Sequence, residues 1–315
     1  MLSGLQTLRD RAVEAALRTL AAGPSLPNQA WAIAPEELRE VSILWPSQYQ
    51  WPAASQWVDT ILYALRKRVR VEFGPLPHTY RGTVLFQLSL RGEPHDVAID
   101  YSDYTDISEE CAGRCAVYFK MQHLREGYGR ENVVPGGYVP GGRKLYLHLR
   151  RLQRLRDRRE FDFDVYGRFS VEFAGETRRR AVEILSSQTE FRFEGGLKKV
   201  KYLDFLKEVA RARVCIDLPG EGDLCFRLIN YMAVGACVVG PRPRAVLNAP
   251  LVDRVHVAYT KEDLSDLVEV CRFYVENEEA REQMCRASRR FFEQNLHADN
   301  LAAYYLRTCL DRLKG

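Results

Sequence analysis

Apolar and polar positions along the chain fall into two series of strand-like and helix-like segments, split by a stretch rich in Gly and Pro. The first series begins after Pro35. VSILW (41–45) is a short apolar run stopped by Pro46, residues 55–67 carry Trp57, Ile61, Leu62 and Leu65 at helical spacing, and 69–73 alternates as a strand does. VLFQLSL (84–90) and HDVAIDY (95–101) read as strands joined by the turn RGEP, and CAVYFKM (115–121) as another. VVPGGYVPGG (133–142) is loop or boundary. The second series opens with FDFDVYGRF (161–169), a strand ending in Gly167. It continues as helix (176–186), strand and turn (190–196), helix (202–212), strand (213–220), helix (226–234) and strands (235–240, 255–259), closing with helices over 263–274, 280–294 and 300–313. The β-α-β-α alternation predicts an α/β protein with a doubly wound sheet.

The N-terminal segment MLSGLQTLRDRAVEAALRTL places Leu5, Leu8, Val13, Leu17 and Leu20 near helical spacing, which predicts an amphipathic helix. Arg9, Asp10, Arg11, Glu14 and Arg18 interrupt the apolar core that a signal peptide needs. The most apolar stretch, 231–239, is too short to span a bilayer. These features lead us to expect a cytoplasmic protein of a bacterium or a phage-infected cell. With 315 residues and 46% of them hydrophobic, the chain can bury two cores. Its eight cysteines are scattered, several in apolar runs such as RVCIDL and GACVVG, as buried free thiols are. Cys111 and Cys115 lack a second pair or clustered His that would complete a zinc site.

A net charge of +4 does not mark a nucleic-acid binder, yet charge is uneven. Between Arg143 and Arg159, in RKLYLHLRRLQRLRDRR, Lys and Arg far outnumber the single Asp157, and Arg178 to Arg180 form a second cluster. Such a run is either a solvated helix face or a patch for a polyanionic acceptor, with Arg150 and Arg151 as its candidate contacts.

Two strand ends carry chemistry suited to an anion. Gly167 and Arg168 follow one strand, where glycine permits close approach and arginine supplies a forked cationic donor. The other is CIDLPGEGDLCFRLINYMAVGACVVG. Here Gly220, Glu221, Gly222 and Asp223 form a loop before a helix opening at Leu224, Cys225 and Phe226. Loop N–H groups and the positive helix end can hold a diphosphate, within reach of Arg227 and of Lys198 or Lys199.

The run Arg227-Leu228-Ile229-Asn230-Tyr231-Met232-Ala233-Val234-Gly235 resembles the R-L-x-E-x-x-A-x-G donor-binding segment of GT-B glycosyltransferases, most closely the exostosin-like and group 1 (family 4-like) enzymes. Gly167-Arg168, the helix with Tyr202, Leu203 and Leu206, Asp263-Leu264 and the stretch from Arg286 to Phe292 look similar too. The resemblance covers about residues 160–297 and is specific within 213–240. It implies two Rossmann-like domains facing across a cleft. Residues 1–155 would form the acceptor side with its N-terminal helix, 156–297 the nucleotide-sugar side, and 298–315 a helix returning to the first. The family usually has a carboxylate, which accepts ribose hydroxyls, where Asn230 stands; an amide can accept one bond and donate another. Tyr118-Phe119-Lys120, Gly127-Tyr128 and Pro135 to Tyr138 also look like exostosin-type relatives, which would set Lys120 and Tyr128 at the acceptor side of the cleft.

The implied activity is transfer of a sugar from a nucleotide-diphosphate donor, expected to be UDP-linked, to a hydroxyl acceptor. The acceptor is either a glycan or metabolite, or a hydroxymethylated DNA base. Departing diphosphate needs donors, and in many inverting enzymes the acceptor needs a base. Asp103 is the first candidate base and Asp100 the second, both after a strand in VAIDYSDYTD, and His123 is a third. Asp162-Phe163-Asp164 has a metal-like spacing, but GT-B enzymes generally use protein cations, so no metal and no tightly bound cofactor is expected. The alternatives are a sugar-nucleotide epimerase on the same fold, or a GT-B-like protein that binds a nucleotide sugar or nucleic acid without catalysis.

Overall fold

A computed structural model describes residues 25–76, 78–140 and 144–314. The helix expected over 1–20 and the residues Gly141 to Arg143 lie outside these.

In the N-terminal lobe, α1 (Pro35–Arg39) leads into β1 (Val41–Pro46), which buries Val41, Ile43 and Trp45 in strict alternation. Helix α2 (Ser55–Leu65) carries the chain to β2 (Arg70–Gly74), parallel to β1. Strands β3 (Thr83–Leu90) and β4 (Glu93–Asp100) form a hairpin closed at Arg91 and Gly92, both at positive φ (54° and 90°). Such a turn matches the twist of its strands, and so short a link admits only an antiparallel pair. This lobe therefore departs from an all-parallel Rossmann sheet: β3 runs antiparallel to β1 and β4. After α3 (Glu109–Arg114), β5 (Val117–Lys120) and β7 (Val133–Pro135) continue parallel to β4, giving six strands in the order β2-β1-β3-β4-β5-β7.

Helix α4 (Lys144–Asp157) leads to the C-terminal lobe and divides the basic stretch. Leu145, Leu149 and Leu152 face inward, as does Arg156, whose guanidinium donates to the Ala212 carbonyl. Beyond it, β8 (Phe163–Arg168), α5 (Gly175–Ser187), β9 (Phe193–Gly196), α6 (Tyr202–Ala210), β10 (Ala212–Ile216), α7 (Phe226–Val234), β11 (Cys237–Pro241) and β13 (Ala258–Thr260) follow the alternation read from sequence. The sheet is parallel, in the order β13-β11-β10-β8-β9. Its winding reverses between β8 and β10, so a crevice opens beyond their carboxyl ends. Helix α7 is apolar on nearly every side and buried from Arg227 to Val234. It ends at Gly235 (φ 86°), whose N–H closes the last turn onto Tyr231 and Met232.

Helices α8 (Leu267–Glu276) and α9 (Glu278–Phe291) and a π-helical turn (Phe292–Leu296) return the chain to the first lobe. There α10 (Ala298–Lys314) packs along α2, and Tyr305 stacks on Phe119 at 3.9 Å and 2°. A second junction pairs β6 (His123–Leu124) antiparallel with β12 (Ala245–Val246). Beside it the Gln122 amide bonds both backbone groups of Leu224, donating to O at 2.8 Å and accepting from N at 3.0 Å. All eight cysteines are buried and unpaired. Among the described residues no helix is long and apolar enough to cross a membrane.

Candidate functional site

Two adjoining cavities, of about 930 and 470 Å³, share Trp57, Asp103, Tyr138, Phe173 and Glu221, and together form one cleft between the lobes. The smaller lies over the β8/β10 switch point.

Its wall is built by the segment after β10. Gly220 N–H closes onto the Gly222 carbonyl at 2.9 Å, turning the chain so that Leu224, Cys225 and Phe226 present the start of α7. No side chain caps that start, so N–H groups of its first turn are offered to a ligand. Gly222 meets the opposite lobe closely: a Cβ there would lie 2.3 Å from Gln122 Nε2 and 2.6 Å from the Asp103 carbonyl. Arg227 is 6% exposed; it donates to the Leu218 carbonyl at 2.8 Å, lies 3.5 Å from Asp217 and sits over the Phe169 ring at 5.1 Å. Gly167 makes that possible without lining the cavity, since a Cβ there would strike the Phe169 ring at 2.6 Å.

Arg178, in α5, completes the arrangement. Only 4% exposed, it donates to Pro219 O at 2.9 Å and Ser170 O at 2.6 Å, and an amine of its guanidinium lies 3.2 Å from where a Gly220 Cβ would be. Two buried guanidinium groups thus flank the loop with Asp217 between them. Burial raises the Asp217 carboxyl to about 6, with Arg227 and Arg178 pulling the other way. In the sequence Arg178 falls in a basic cluster with Arg179 and Arg180. Its helical face, shared with buried Ala181 and Leu185, was the available clue.

The other expected donor contacts divide. Lys198 and Lys199 line the cavity, but Lys199 is paired with Glu172 at 2.7 Å. Arg168 lines it too, yet is held by Glu208 (2.8 Å) and Glu194 (2.9 Å). Asp223 turns away to Arg244 (3.1 Å). Asn230 is fully buried behind the wall, where its Oδ1 accepts from the Tyr202 hydroxyl at 3.0 Å.

In the N-terminal lobe, Asp103 reaches both cavities and accepts from Tyr138 at 3.3 Å; partial desolvation in the cleft raises its carboxyl, and the nearby Glu221 carboxylate adds to that rise. Asp100 is otherwise engaged. Its two oxygens accept from Ser102 N (2.9 Å), Ser102 Oγ (2.6 Å), Tyr118 Oη (2.6 Å) and Lys120 Nζ (2.9 Å), two bonds to each oxygen. Lys120 is fully buried in that cluster, not presented to a ligand. His123 is not at the cleft: buried by the β6–β12 pairing, it packs against Tyr128, and burial lowers its pKa. Tyr128 in turn spends its hydroxyl on Thr105 O (2.6 Å). Arg151 faces a separate cavity with His148, Arg154, Arg158 and Lys207, while Arg150 lines neither part of the cleft. Asp162 and Asp164 pair with Arg211 (2.7 Å) and Arg213 (3.2 Å), away from the crevice.

Residues 143–307, just over half the chain, match a family described as glycosyl transferase-like. No curated protein matches the chain. Among solved structures it is similar to a protein assigned as a UDP-N-acetylglucosamine 2-epimerase from Listeria monocytogenes, at 10% identity and a TM-score of 0.34, over 65% of this chain and 61% of that one. It is similar also to a glycosyltransferase from Rickettsia africae ESF-5 (14%, 0.33, over 53% of this chain and 45% of that one). A UDP co-structure of MnaA from S. aureus aligns at 13% identity and a TM-score of 0.38, over 81% and 72%. The chain thus spans less than two thirds of the first two structures.

Proposed function

The chain belongs to the glycosyl transferase-like family, and from that premise we propose that its cleft transfers a sugar from a nucleotide-diphosphate donor, UDP-linked, to a hydroxyl acceptor. One observation carries this reading: Arg178 and Arg227, both buried, donate to the carbonyls of Pro219 and Leu218 at the base of the loop over 220–222, and among the described residues Asp217 is the one carboxylate ion-paired with either. Buried cations in excess over their counter-charge at a switch point suit an anion brought by a ligand.

In this reading the diphosphate lies against the start of α7, and the larger cavity takes the acceptor. The bond between the anomeric carbon and the diphosphate oxygen breaks, its electron pair leaving on the diphosphate. Arg178, Arg227, Lys198 and the uncapped N–H groups stabilise that charge. The acceptor oxygen bonds the anomeric carbon and gives its proton to Asp103, whose raised pKa makes it a better base than a solvated carboxylate.

Thermal-shift measurements with UDP, GDP, ADP and their hexose conjugates test the proposal, because a ligand of the native state raises the melting temperature. A shift with a nucleoside diphosphate, followed by product formation with the matching donor, is expected. No shift with any of them would remove the reading.

A further inference from the structure

The larger part of the cleft carries aromatic faces and acids together. Six Trp, Tyr or Phe side chains are exposed among the described residues, and four of them, Trp51, Tyr104, Phe173 and Phe226, line the cleft. They come from both lobes: Trp51 follows β1 and Tyr104 follows β4, whereas Phe173 and Phe226 belong to the donor side. Trp51 also lies nearly parallel to Tyr101, at 6.3 Å and 20°. Exposed rings gathered in one concave site, when so few stand elsewhere, mark a surface that awaits a flat, partly apolar ligand.

Charge narrows the choice. Asp103, Asp106 and Glu221 line this cavity against one cation, Arg81, while Asp100 is already neutralised by Lys120. A polyanion would meet carboxylates here. The basic surface that suggested one lies elsewhere, around Arg151, Arg154, Arg158 and Lys207. Helix α6 separates the two sites: Tyr202 and Phe205 face the donor cavity, Leu203 and Lys207 the basic one. A duplex bound on that surface would have a helix, about 10 Å thick, between it and the donor.

Building on the transfer reading above, we infer that the acceptor is a terminal sugar ring without anionic groups, its C–H face on Trp51 and Tyr104 and its hydroxyls toward Asp103 and Glu221. Pyranose rings have one face lined by C–H bonds and an equator of hydroxyls, which matches aromatic platforms edged by carboxylate acceptors. A ring bearing an ammonium group would fit the same acids.

The test is retention of the labelled full-length protein, with UDP present, on an array of immobilised glycans. The array holds neutral, amino-sugar, sialylated, sulfated and uronate termini, with a 5-hydroxymethylcytosine duplex beside them. Retention on neutral or amino-sugar termini is expected. It should fall at least tenfold in Trp51→Ala and Tyr104→Ala, recover in Trp51→Phe, and persist in Arg154→Ala/Arg158→Ala. Far-UV circular dichroism identifies any variant that does not fold. Retention only on anionic glycans or the duplex, retention indifferent to Trp51, or no retention at all overturns the inference. A UDP thermal shift on the same samples separates the two ideas: a blank array with the shift intact removes the acceptor inference alone, and loss of both removes the donor reading as well.

Discussion

Replacing Arg227 by Ala tests the proposed donor site most directly, because the side chain has a structural task and, in that proposal, a ligand-facing one. In the free protein it supplies the donor for Leu218 O and the nearer cation for Asp217. Its loss leaves a buried carbonyl and a buried carboxylate short of a partner, at a cost of about 1–3 kcal/mol. Part of this is relieved because Asp217, already raised to about 6, takes up a proton more readily once the cation is gone. The ligand effect is separate. A charge-assisted hydrogen bond to phosphate contributes about 1.5–3 kcal/mol, so UDP affinity should fall roughly 10- to 150-fold. At a UDP concentration one hundred times its Kd, wild type gains about 2.7 kcal/mol of stability; a 30-fold weaker variant at the same concentration gains only about 0.9 kcal/mol. Calorimetry with and without UDP reads both quantities, the first from the ligand-free proteins and the second from the increments. Arg227→Lys, which keeps the charge and loses the fork, should fall between. A folded Arg227→Ala protein that keeps the full UDP increment would show that the diphosphate binds elsewhere.

Asp103→Asn should lower turnover by about 10²–10⁴-fold, the range for a lost general base, while leaving the UDP thermal shift intact; unchanged turnover would acquit Asp103. Gly222→Ala forces the loop off Gln122 and the Asp103 backbone, so kcat should fall by up to about 10²-fold with little change in ligand-free fold by circular dichroism; normal kcat would show that the lobe contact does not position the base. The Asp217 carboxyl, held near 6 by burial, binds a proton more tightly in the native than in the unfolded chain. Its contribution to stability is therefore fully present below the ordinary carboxylate pKa and is lost as pH rises through about 6. Protonation also removes the charge between Arg178 and Arg227. Affinity for UDP-glucose, whose diphosphate diester does not titrate in this range, should accordingly rise between pH 7.5 and 5.5, by no more than about tenfold per unit. Calorimetric titration showing flat affinity would mean that Asp217 does not compete with the ligand.

Much of the C-terminal lobe was legible because its determinants are local. Gly235 at a left-handed helix end, an apolar helix with one Arg in its first turn, and a Gly-containing loop after a strand are written within a few residues of one another. What could not be read depended on register and on the other lobe. VAIDYSDYTD offers Asp103 first and Asp100 second as a base, but does not show what separates them. The parallel pairing of β4 with β5 sets Asp100 directly across from Lys120 and fixes it in an ion pair, whereas Asp103, beyond the strand, reaches the cleft. His123 looked open at a strand end, but the distant segment 245–246 adds a strand beside it. Charge clustering misled in both directions. It hid Arg178 among surface arginines, and it pointed to Arg151, which faces a cavity other than the cleft.

The amide at position 230 follows from the same geometry. Residue 230 sits on a helix buried on almost every side, with the Tyr202 hydroxyl as its partner and no partner for its own Nδ2. An unpaired amide N–H costs about 1–3 kcal/mol, but a carboxylate in that seat would carry a desolvation penalty of several kcal/mol. Arg227, one turn away, already donates to Leu218 and faces Asp217. Tyr202, whose ring lines the cavity, covers the amide, so a ribose placed against this wall would meet a phenol in place of a charged acceptor. With an amide at 230, α7 carries no carboxylate, and Asp217 is the counter-charge that Arg178 and Arg227 share. In the proposed reading, donor recognition accordingly leans on the diphosphate, and selection among nucleotides falls to the shape of the surrounding wall rather than to α7.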